Sequence, residues 1–161
     1  MNLSTHRGLT RHQRYNRISV TITLDDQNRV IVRQLRDALD GLIAVYRFGS
    51  TARGTPSITT SSTSDTDIAV LGHARLSDVR RFALQEALAA SIGGDVDLVD
   101  LRRASPVMAI QVVAHGQLLY DGDACARGQF EDLTFSTYAR LNEERRGILD
   151  RIADEGTVYG R

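Results

Sequence analysis

Ile18, Val20, Ile22 and Leu24 alternate with Arg17, Ser19, Thr21 and Thr23, a period of two that predicts a half-buried strand. Asp25 or Asp26 is then placed to cap a helix running to about Leu39, with Ile31, Leu35 and Ala38 on one face. The helix is expected to stop near Asp40-Gly41, because glycine accepts the left-handed conformation at a helix C-terminus. Leu42–Phe48 is a continuous apolar run, short enough for a central strand. Residues 49–64 are Gly, Ser, Thr and Arg with almost nothing apolar, and read as a long loop of the kind that carries function. Asp65–Leu71 resumes as a strand with two carboxylates at its mouth.

Ser77 opens a second helix, with Leu84, Ala87, Leu88 and Ile92 at helical spacing and Gly93-Gly94 as its stop. Asp95–Leu101 is a third strand. Ser105-Pro106 combines an N-cap with proline at the first helical position, and places Val107, Ile110, Val113 and Ala114 inward. Gly116 closes that helix, Gln117–Tyr120 forms a short strand, and Phe130–Asp154 is helical with Leu133, Leu141, Ile148 and Ile152 as its apolar positions. Strands and helices alternate around one sheet, so the fold class is α/β.

With 161 residues the chain fits one domain of roughly 150 residues. Hydrophobic residues are 42% and charged residues 25%, which is globular composition and excludes a disordered chain. Formal net charge is zero, with neither a basic stripe nor a Trp for stacking, so a nucleic-acid partner is not expected. Every Lys/Arg position is Arg, which excludes a Schiff-base lysine and a P-loop cation. Cys125 alone makes neither an intramolecular disulfide nor a cysteine-rich zinc site. No apolar run approaches the ~18 residues of a membrane span. The acid-free stretch holding His6, Arg7, Arg11, His12, Arg14 and Arg17 reads as a solvated tail. A cytoplasmic location is expected.

The chemistry concentrates at Phe48-Gly49-Ser50-Thr51-Ala52-Arg53-Gly54 and at Ser64-Asp65-Thr66-Asp67. Strand periodicity puts Asp65 and Asp67 on one face, where two carboxylates repel unless a cation lies between them. Oxygen-only ligands favour Mg²⁺ or Mn²⁺ over zinc. The Gly-Ser turn offers close backbone approach, N–H groups and a hydroxyl to phosphate oxygens, and Arg53 adds positive charge. Asp-x-Asp alone is an ordinary turn pair; its combination with the Gly-Ser turn and a third acidic strand carries the signal. On that third strand Asp95 and Asp97 share a face and Asp100 points oppositely. Asp97, flanked by Val96 and Leu98, is preferred over Asp95 as the third carboxylate because an unpaired charge there would be costly. Asp100 is expected to contact Arg102 or Arg103. His73, His115 and Cys125 are read as non-catalytic.

Gly49-Ser50, Asp65-x-Asp67 and the strand Val96-Asp97-Leu98-Val99-Asp100-Leu101 resemble the minimal nucleotidyltransferases of the polymerase-β-like superfamily. The Ser105-Pro106 helix, Gly116–Asp121 and Tyr138–Arg145 are similar to the MNT antitoxins that pair with HEPN-domain toxins. The resemblance implies a mixed sheet flanked by helices in a single domain over residues 17–161, after a flexible basic tail at 1–16. It implies that Asp65, Asp67 and Asp97 form the catalytic, metal-binding set for two Mg²⁺ ions. Gly49, Ser50 and Arg53 would hold the triphosphate of ATP.

The implied reaction moves AMP from ATP to a tyrosine hydroxyl of a HEPN toxin, the protein partner. A non-catalytic antitoxin acting by binding, and a small-molecule nucleotidyltransferase, are the alternatives; homo- or hetero-oligomerisation is left open. Residues 51–64 separate Ser50 from Asp65 by more than the family usually has, an excess a loop absorbs at small entropic cost.

Overall fold

The computed structural model describes residues 23–49 and 65–155. The expected tail at 1–16, Arg17 to Ile22 of the first expected strand, and most of the 49–64 loop lie outside the described residues. Among the described residues the order is α1 (Leu24–Ala38), β1 (Leu42–Phe48), β2 (Thr66–Gly72), α2 (Asp78–Ile92), β3 (Val96–Asp100), α3 (Pro106–His115), β4 (Gln117–Asp121) and α4 (Ala124–Glu155).

Leu24 belongs to α1 rather than to a strand, and the cap is Thr23, not Asp25 or Asp26. The Thr23 hydroxyl accepts from the Asp26 N–H at 3.2 Å and donates to the Asp26 carboxylate at 2.7 Å. Asp26 therefore reinforces a cap three residues upstream. Ser77 and Ser105 cap α2 and α3 by accepting from the N–H groups of Arg80 and Met108, as their sequence positions require. Gly93 ends α2 with φ +71°, where a side chain would be strained.

The four strands lie in the order β3-β2-β1-β4, with β2 and β3 parallel and β1 antiparallel to both of its neighbours. β1 is central and buried on both faces, which explains its lack of polar alternation. One core layer joins Ile31 and Leu35 of α1 and Leu84, Leu88 and Ile92 of α2 to Val45, Ile68, Val70 and Leu98. The other joins Val112 of α3 and Phe130 of α4 to Ala44, Tyr46, Ala69, Leu71 and Leu101. Each fully buried Leu or Ile contributes ~1.5–3 kcal/mol by leaving water, so these layers hold the sheet rigid beneath whatever its edges carry. A register irregularity between Leu42 and Ala44 lets Ile43 and Ala44 both join the second layer.

Two further helices differ from expectation. In α3 the buried residues are Ala109, Ile110 and Val112, while Val107 and Ala114 are exposed. The helix meets the sheet on the face set by Val112, not by its first turn. α4 begins at Ala124, six residues before Phe130, because Asp123 accepts from the Ala126 N–H at 2.9 Å and acts as a cap. Cys125 thus lies in the first turn of α4. Leu133 and Ile148, expected as apolar anchors, are exposed, and α4 is held instead through Phe130, Ala126 and the buried Thr134. A polar chain fixes α4 to the sheet: Tyr46 donates to Glu131 at 2.7 Å, and Arg127 bridges Glu131 and Asp121.

Candidate active site at the β1, β2 and β3 ends

Asp67 is the second residue of β2, and the sheet register places Phe48 opposite it on one side and Asp97 on the other. Strand alternation turns Asp67 and Asp97 to the α3/α4 face, with Ala69 and Val99 following them. Asp65 precedes the strand by one residue and is exposed. Thr66 anchors this mouth, its N–H donating to the Asp95 carbonyl at 2.9 Å.

Gly49 follows the last residue of β1 and lies directly beside Asp67. Its φ is +78°, and a Cβ there would collide with the Asp67 carboxylate. Glycine is required both for the backbone conformation and for the space. Ser50 and Arg53 lie outside the described residues.

The charges at this corner act on one another. Burial first, then Asp97, then Asp65, push the Asp67 carboxyl above its ordinary range, while Arg47 pulls it back. A corner that raises a carboxyl's pKa by like charge suits a cation, and an all-oxygen donor set suits Mg²⁺. No three Asp, Glu, His or Cys side chains among the described residues converge as a closed metal cage. That is compatible with Mg²⁺, which takes one or two carboxylates and completes its shell from water and substrate phosphates.

Asp97 is exposed, contrary to the cost expected of a carboxylate between Val96 and Leu98. β3 is the edge of the sheet, and Asp97 points from it towards solvent at a concavity of about 250 Å³ shared with Arg81, Val99 and Ala104. Asp95 is exposed too. What distinguishes Asp97 is its register opposite Asp67. Asp100 faces the other way and is 4% exposed, accepting from the N–H groups of Leu76 at 2.8 Å and Arg102 at 3.0 Å. It is structural as expected, but through Arg102's main chain; the Arg103 guanidinium pairs with Asp78. A larger groove of about 620 Å³ between the β2–α2 and β3–α3 connections and α4 holds His73, Arg75 and Arg102 but none of these acids.

Sequence reasoning missed Arg47. It was absorbed into an apolar run, yet it is buried and is the cation that acts on Asp67. A lone Arg in a strand buried on both faces was the available signal.

Residues 31–124 match the polymerase-β nucleotidyltransferase family. The chain belongs to that family. It is 40% identical over 122 residues to the protein adenylyltransferase MntA of Shewanella oneidensis, covering 76% of this chain and 84% of that protein. A crystal structure of a toxin–antitoxin with AMP-PNP superimposes with a TM-score of 0.68 at 39% identity, covering 78% of this chain and 98% of that one. A tri-AMPylated Shewanella oneidensis HEPN toxin in complex with its MNT antitoxin provides a second match, with a TM-score of 0.64 and 36% identity, covering 79% and 96%. No helix among the described residues is long and apolar enough to cross a membrane.

Proposed function

We propose that this chain is the antitoxin of a toxin–antitoxin pair and acts as a protein adenylyltransferase, moving AMP from ATP to a tyrosine hydroxyl of a HEPN-domain toxin. The observation that carries this reading is the opposition of Asp67 and Asp97 across β2 and β3, with Gly49 held against the Asp67 carboxylate. The relationship to an adenylyltransferase, and to antitoxins solved with AMP-PNP and with an AMPylated toxin, supports the substrate and the partner.

Asp65 and Asp67 are the residues to hold Mg²⁺, with Asp97 completing the acidic set. Mg²⁺ held there would supply the positive charge that offsets the negative charge of the triphosphate and of pyrophosphate. Gly49 lets the main chain approach the phosphates closely, and Ser50 and Arg53 are assigned to the same triphosphate. The tyrosine oxygen attacks the α-phosphorus, the bond to pyrophosphate breaks, and the phenolic proton passes to Asp97, which is exposed and so accessible to an incoming side chain.

The test is transfer of label from ATP to a HEPN partner. Label in the α-phosphate should appear on the partner and label in the γ-phosphate should not. Retention of γ-label would identify phosphoryl transfer and overturn the assignment.

A further inference from the structure

Arg47 is a long charged side chain almost wholly withdrawn from solvent, at 1% exposure. Among the described residues it has no carboxylate partner. Its fork donates to Asn28 Oδ1 at 2.7 Å, to Thr66 Oγ1 at 3.2 Å and to Gln27 Oε1 at 3.5 Å, and its Nε has no partner among the described residues. A buried guanidinium satisfied only by neutral oxygens is costly, and an aliphatic residue would pack beside Val45 at lower cost. The neighbourhood shows what offsets the cost. Thr66 stands between Asp65 and Asp67, and is held from two sides: its main chain by Asp95 of the β3 mouth, its hydroxyl by Arg47. Asn28 and Gln27 fix the guanidinium to the first turns of α1. The charge therefore sits immobile on the opposite face of the sheet from the acids, one strand away from Asp67.

We infer that Arg47 is a positioning residue for the acidic site: through Thr66 it fixes how β2 presents Asp65 and Asp67 to a divalent cation, and it supplies the positive charge that offsets their repulsion. The inference rests on the metal-binding role proposed for those two residues. Residues behind metal ligands that orient them typically change metal affinity 10- to 100-fold when removed, and Arg47 acts from that position.

The experiment measures Mn²⁺ binding, by the electron paramagnetic resonance signal of free Mn²⁺, alongside the rate of AMP transfer and thermal unfolding. Arg47→Met should weaken Mn²⁺ binding roughly 10- to 100-fold, and Thr66→Val, which keeps the shape and removes the acceptor, roughly 10-fold. Arg47→Lys should recover part of the loss, because it restores charge without the fork. The transfer rate should fall while KM for the toxin stays unchanged. If Arg47→Met does not fold, Thr66→Val alone decides. Unaltered Mn²⁺ affinity in both variants, with loss in Asp67→Asn, overturns the role of Arg47 and leaves the acidic site standing. Absence of Mn²⁺ binding by the unsubstituted chain overturns both.

Discussion

Gly49 and Asp67 occupy each other's space: the carboxylate of Asp67 fills the volume where any side chain at position 49 would begin. The end of β1 and the mouth of β2 are thereby joined into one corner, with Asp97 opposite on β3.

Gly49→Ala is expected to fail for two reasons that add. At φ +78° an alanine costs about 1 kcal/mol in backbone strain, and its methyl group displaces the Asp67 carboxylate. AMP transfer should fall at least about tenfold, which is about 1.4 kcal/mol of barrier. Thermal unfolding should show a decrease of several degrees for this strain. A variant as active as the parent would mean that the corner plays no part in the chemistry.

Asp67→Asn should abolish transfer and yet leave the metal-free protein no less stable at neutral pH. The sign follows from linkage. The carboxyl of Asp67 is raised in the folded state, so ionising it is harder folded than unfolded. Its contribution to stability is fully present below the unfolded carboxylate pKa and is lost as pH rises through the raised folded value. The variant should therefore unfold at an equal or higher temperature than the parent at pH 7, with the advantage shrinking as pH falls into the carboxylate range. A lower unfolding temperature at pH 7, in chelator, would show that the acids are not in mutual repulsion.

Asp97 and Asp100, three residues apart on one strand, should separate chemistry from folding. Asp97→Asn removes an exposed carboxylate that repels Asp67 and should cut transfer nearly as far as Asp67→Asn, with thermal stability equal or higher. Asp100→Asn leaves one of two backbone N–H groups facing an amide, at a cost of about 1–3 kcal/mol. Its folded fraction should still transfer AMP. The opposite pattern would reverse the facing of β3.

Tyr46→Phe should loosen α4. The phenol donates to Glu131 in the polar chain that ties the helix to β1, and its removal should cost about 1 kcal/mol. Hydrogen exchange measured along the chain should rise in the Asp123–Thr134 segment and not in α1. Unchanged exchange would mean that apolar contacts of Phe130 and Ala126 alone hold the helix.

Much of this corner was legible from residue order alone. Ser77, Ser105-Pro106 and Gly93 announce their helix ends because capping is local chemistry. β1 reads as central because nothing polar alternates in it. The facing of Asp97 against Asp100 follows from the period of a strand. What was not legible depends on partners distant in sequence. Asp97 stands exposed because β3 is an edge, and which strand lies at an edge depends on pairings between segments distant in sequence. Arg47 is buried because Asn28, Gln27 and Thr66 come to it from 19 or 20 positions away. Thr23 was hidden at the end of an alternating pattern, and the early start of α4 by Gly128, which a helix tolerates where nothing packs against it.

Intact-mass measurement of a HEPN toxin, held in molar excess over this chain with Mg²⁺ and ATP, tests the central claim most directly. The account predicts that the excess toxin gains whole AMP units, stays inactive after this chain is removed, and gains nothing from the Asp65→Asn/Asp67→Asn variant. Toxin of unchanged mass, silenced only by one-to-one mixing and equally well by that variant without ATP, would contradict it.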